Sequence, residues 1–77
     1  MNKYIATFHS HFGAVLYCKN LKKQGVSAKL MPAPRKVSSS CGTCVRYEHD
    51  SAIDLANCEL DSVFLEDNDI FVYALKK

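Results

Sequence analysis

Two thiols, two cations and three serine hydroxyls, with a threonine beside them, fall within one short stretch, Pro32-Ala-Pro-Arg-Lys-Val-Ser-Ser-Ser-Cys-Gly-Thr-Cys44. A thiol attacks or ligates as the thiolate, and Arg35, Lys36 and backbone N–H groups at Gly42 would favour that form of Cys41. The hydroxyls of Ser38, Ser39 and Ser40 add donors for an anion. The Cys41-Gly-Thr-Cys44 spacing also suits two other chemistries. One is a dithiol couple in which Cys44 resolves a bond formed on Cys41. The other is a zinc or copper site completed by His9 or His11. Redox pairs of this spacing usually start a helix, whereas here the residues that follow read as a strand. No glycine-rich phosphate loop or Ser-His-Asp set is evident. Glu66-Asp67 with Asp69 reads as a solvated turn.

The 77 residues bound what can hold such a loop: one small domain, 1–77, near the lower limit for a single unassisted core. Hydrophobic residues make up 48%, enough for that core. The start of the chain turns polar at His9 and lacks the sustained apolar region of a secretion signal, and no run approaches a membrane span. The expectation is a cytoplasmic protein with no membrane partner. There, Cys18, Cys41, Cys44 and Cys58 read as buried, redox or ligand groups before structural disulfides. Net charge is +2, yet all eight acidic residues lie between Glu48 and Asp69 while eight of ten Lys and Arg lie in residues 1–46. Packed side by side, the halves would largely cancel. Aromatics are not interleaved with the lysines, so nucleic acid is not the expected partner.

Tyr4-Ile-Ala-Thr-Phe8 alternates with period two and predicts a first strand. Ser10 is a suitable N-cap for a helix running to Lys23, ended by Gln24-Gly25, with Ala14, Tyr17, Cys18 and Leu21 on its core face and Phe12 and Leu16 turned away. Strands follow at Val26–Met31, stopped by Pro32, and at Thr43–Tyr47, where Val45 and Tyr47 share one face and Cys44 and Arg46 the other. Asp50 or Ser51 would cap a second helix through Ala52, Ile53, Leu55 and Ala56. Ile70–Leu75 is the clearest strand, and Glu59 to Asp69 reads as a connection.

The order β-α-β-β-α-β predicts an α+β ferredoxin-like βαββαβ plait: a four-stranded antiparallel sheet with two helices on one face. In it the first two strands run the same way, so the loops after them emerge at one end. His9, Ser10 and His11 would neighbour the Arg35–Cys44 stretch, with His9 the better placed of the two histidines, and the positive end of the first helix would face the thiol. An exposed edge strand in so small a sheet would permit a dimer.

Ala6-Thr-Phe-His-Ser10, the helix with Ala14, the strand Lys29-Leu-Met-Pro32 and, above all, Pro34-Arg35 with Ser38-Ser-Ser-Cys-Gly42 resemble a family of small bacterial and archaeal selenium or sulfur carrier-like proteins, once catalogued as a domain of unknown function. The resemblance covers about the first three fifths of the chain. It points to Cys41 and does not require Cys44. What it implies is a carrier that holds sulfur or selenium on Cys41 as a persulfide or selenopersulfide, with Arg35, Lys36, Ser38, Ser39, Ser40 and Gly42 stabilising the anion. It implies no cofactor, and partners in a sulfur or selenium donor enzyme and an acceptor protein. Turnover would be supplied by those partners, with this chain a non-catalytic carrier or accessory subunit.

Overall fold

A computed structural model of the chain describes residues 1–37, 42–53, 59–68 and 70–76. β1 (Asn2–Phe8) is the central strand of an antiparallel sheet in the order β2-β3-β1-β4-β5. α1 (His11–Lys23) follows it, then β2 (Ala28–Pro32), β3 (Thr43–His49), β4 (Leu60–Asp67) and β5 (Ile70–Lys76). β1 and β2 are both antiparallel to β3, so they run the same way, as the plait requires. The helix starts where the sequence puts it: Ser10 is the N-cap and its hydroxyl accepts from the Gly13 N–H at 3.2 Å.

The domain is α+β and broadly ferredoxin-like, but the sheet has five strands instead of four, and one helix lies among the described residues instead of two. The extra strand is β4, in the stretch expected to be a connection. Its alternation is hidden by an irregularity in its pairing with β1: Thr7 sits opposite Ser62 but Phe8 opposite Leu60, so Asp61 is an inserted residue. Leu60 and Val63 thus reach the same core from positions three apart.

The second helix is absent where it can be seen, over Asp50 to Ile53; its expected continuation through Leu55 and Ala56 lies outside the described residues. Side chains claim the backbone there. Ile53 donates its N–H to the Tyr47 hydroxyl at 3.0 Å, and its carbonyl accepts from the Tyr17 hydroxyl at 2.6 Å. Two buried tyrosines thereby hold the crossover from β3 to β4 by both polar groups of one residue.

The helix-side face of the sheet carries the main core. Tyr4, Ala6 and Phe8 of β1 and Val45 and Tyr47 of β3 pack under Ala14, Tyr17, Cys18 and Leu21. Rings set its geometry: Tyr4 stacks on Tyr47 at 5.3 Å, and Phe8 meets Tyr17 edge-on at 5.0 Å. The opposite face holds a smaller cluster of Ile5, Cys44 and Phe64, covered by Val37 from the β2–β3 connection.

Candidate functional site

The β2–β3 connection is fixed at both ends. Past the last ladder pair, Pro32 opposite Thr43, the Ala33 N–H donates to the Gly42 carbonyl at 3.0 Å. Gly42 has φ +72, a left-handed conformation that glycine adopts without a Cβ penalty. Pro34 then opens a tight turn, its carbonyl accepting from the Val37 N–H at 3.0 Å. Arg35 and Lys36 are the central residues of that turn and both are exposed.

Val37 ends the turn with its side chain only 3% exposed against Ile5, Cys44 and Phe64. It is the one apolar residue between Lys36 and the serines, a signal that sequence reading passed over. Ser38, Ser39, Ser40 and Cys41 span the interval from this anchor to Gly42 and lie outside the described residues, as does Cys58.

The N-terminus of α1 adjoins the far end of this connection, as the parallel course of β1 and β2 predicts. Thr7 pairs with Cys44, and His11 Nδ1 lies 3.3 Å from Thr43 Oγ1. His11 is the exposed first residue of α1, as expected, and it approaches the described end of the connection where His9 does not. His11 faces the end of the connection, while His9 turns toward β4, its ring Nε2 4.0 Å from an Asp61 carboxylate oxygen and its backbone N–H donating to the Glu59 carbonyl. The Ser10 hydroxyl donates to the Glu59 carboxylate, so the positive end of the helix already faces one acidic group.

The two described cysteines are both buried, in different places. Cys18 is on the core face of α1. Cys44 is fully buried on the opposite side of the sheet beneath Val37, and its Sγ points to the Pro32 carbonyl at 3.8 Å. Among the described residues no three His, Cys, Asp or Glu side chains are grouped to hold a metal ion. Nor does any described helix have the length and apolarity to cross a membrane. A groove of about 590 Å³, lined by Met1 to Lys3 and Leu65 to Asn68, lies at the other end of the sheet from the β2–β3 connection.

Basic and acidic residues meet across the middle of the sheet, where Lys3 of β1 is paired with Glu48 of β3 on one side and Glu66 of β4 on the other. Lys29, Arg35 and Lys36 lie on the β2 side, Asp61, Glu66 and Asp67 on β4. Arg46 and Glu66 meet at 3.4 Å where the two halves join.

Neither a search of curated proteins nor a search of solved structures gave a match. A scan of family models did, over residues 3–62, which run from β1 through α1 and the anchored connection into β4. The chain therefore belongs to the family described as "Putative Se/S carrier protein-like".

Proposed function

We propose that the chain carries sulfur or selenium on Cys41 and hands it to an acceptor protein in the cytoplasm. The observation that carries this reading is the anchored β2–β3 connection: Cys41 directly precedes Gly42, and the exposed cations Arg35 and Lys36 share the same connection. A persulfide is anionic near neutral pH, and those cations, the serine hydroxyls and the connection's N–H groups are the donors it needs.

In loading, the Cys41 thiolate attacks the terminal sulfur of a donor enzyme's cysteine persulfide. The donor's S–S bond breaks, the donor cysteine leaves as a thiolate, and the terminal sulfur with its hydrogen ends on Cys41. Delivery repeats the exchange with an acceptor thiolate, and neither step has net oxidation. Selenium follows the same course, with the selenium atom transferred.

The dithiol and metal readings both need Cys44, whose thiol lies fully buried under Val37. That burial favours Cys41 acting alone. If Cys44 does resolve the persulfide, its thiolate attacks Cys41 Sγ, forms a Cys41–Cys44 disulfide and expels hydrosulfide.

The test is intact mass after incubation with a cysteine desulfurase and cysteine, or a selenocysteine lyase and selenocysteine. The expected result is gain of one sulfur or selenium atom, reversed by a small thiol, retained in Cys44→Ser and lost in Cys41→Ser. No gain by the wild type, or equal gain by Cys41→Ser, overturns the proposal.

A further inference from the structure

The two edges of the sheet are built differently. β2 is five residues long, carries exposed Lys29 and Pro32, and has α1 packed along it. Charge, proline and shortness all discourage pairing with another strand. β5 lacks the shortness and the proline, and its charge is confined to its last residue, Lys76. It is seven residues long, has no charged residue from Ile70 to Leu75, and leaves Ile70, Val72 and Tyr73 exposed by 64%, 53% and 57%.

Its position explains the exposure. Val72 pairs with Leu65 on the helix-side face, but α1 packs over β1, β2 and β3. Tyr73 lies on the other face, its ring 4.5 Å from that of Phe64. Both faces of the strand are therefore apolar, and its outer backbone groups form a sheet edge.

We infer that β5 is the interface of a homodimer in which two copies pair their β5 strands antiparallel about a two-fold axis, joining their sheets into one. A second copy is the occupant because the edge is complementary to itself in that direction. Asp67 stands at the turn end of β5, opposite Ile70, and Lys76 at the other end. Asp67 lies one strand in from the seam, and antiparallel pairing sets the Asp67 end of one copy toward the Lys76 end of its partner, whereas parallel pairing sets like ends together. A two-fold axis makes the contact isologous and closed, so it stops at two copies. The β2–β3 connections of both copies then lie at the outer limits of the joined sheet, away from the seam. The inference does not depend on the carrier function.

Sedimentation equilibrium of the full chain across the micromolar range tests it. A reversible monomer–dimer equilibrium is expected, with Val72→Lys raising the dissociation constant by about tenfold or more. Asp67→Lys should raise it less, and Phe12→Lys, an exposed apolar residue of α1, should leave it unchanged. Circular dichroism checks folding, and Ile70→Lys stands in if Val72→Lys unfolds. Amide exchange on the wild type reads the same contact without a variant, as slowing at β5 with rising protein concentration. A wild type that stays monomeric, a dimer weakened by Phe12→Lys and not by the β5 variants, or β5 exchange independent of concentration each overturns the inference.

Discussion

The two faces of the sheet are sealed in opposite ways. On one, a thirteen-residue helix lays Ala14, Tyr17, Cys18 and Leu21 over interlocked rings. On the other, Val37 from a connection packs on Ile5, Cys44 and Phe64, with Met31, Ala33 and Phe71 beside them. Each face thus buries a cysteine, Cys18 under a helix and Cys44 under Val37. Exposing Cys18 requires loss of the main core. Cys44 sits in the smaller cluster, where Val37 and its turn can lift without loss of the main core, a local opening that costs less than global unfolding.

Truncation on each side gives the largest contrast. Tyr17→Ala should lower stability by about 3–5 kcal/mol, as for other large buried aromatics, and it also removes the hydroxyl that holds Ile53. Val37→Ala should cost about 2 kcal/mol, near the burial value of its side chain. The chemical readout is sharper than the stability one. Timed alkylation under native conditions, mapped by peptide mass, should show Cys44 reacting faster in Val37→Ala while Cys18 is unchanged. Equal acceleration at both cysteines would mean that the two faces open together and that the connection is no separate unit.

The helix-side face was the more legible from sequence, for a physical reason. Alternation in β1 and β3 and the spacing of Ala14, Tyr17, Cys18 and Leu21 all record burial against one continuous layer. The common end of the β1–α1 and β2–β3 connections followed from strand direction alone, so the approach of His11 to Thr43 was half readable: the place, but not which histidine. Elsewhere the pattern failed. Asp61 breaks the period of β4, and Ile53 gives its backbone to the hydroxyls of Tyr47 at the end of β3 and Tyr17 on α1, which no helix propensity encodes. At the candidate site the residue types were legible, but the covering role of Val37 depends on contacts with Ile5 and Phe64 that only the folded sheet creates.

A smaller effect separates the regions by their glycines. Gly25 follows the C-cap of α1 with φ +80, and Gly42 ends the β2–β3 connection with φ +72; a Cβ at either would meet nothing within 4 Å. Alanine therefore costs backbone strain alone, about 1–2 kcal/mol at each. Chemical denaturation should give similar losses for Gly25→Ala and Gly42→Ala. Sulfur loading should separate them, because Gly42 adjoins Cys41 and its carbonyl closes the connection onto Ala33. Loading is expected to slow in Gly42→Ala and to keep its wild-type rate in Gly25→Ala. Equal rates in both would mean that the anchored end of the connection does not govern the thiol.

The smallest effect lies within the helix-side face and depends on pH. Burial pushes the Tyr47 phenol above its ordinary value, and its hydrogen bonds with Tyr17 and Ile53 pull it only partly back. Because the folded state holds that proton more tightly, the unfolded chain ionises first as pH passes about 10. Stability linked to Tyr47 is thus complete below that pH and is lost as pH rises through the folded value. At neutral pH, Tyr47→Phe should cost about 1 kcal/mol, since it leaves the Ile53 N–H without its acceptor. The two proteins differ only at this side chain, so the difference in melting temperature between wild type and Tyr47→Phe isolates the phenol. That difference should narrow above about pH 10. A constant gap would mean that water reaches the hydroxyl, and that the face under the helix is less tightly closed at its edge than the ring packing requires.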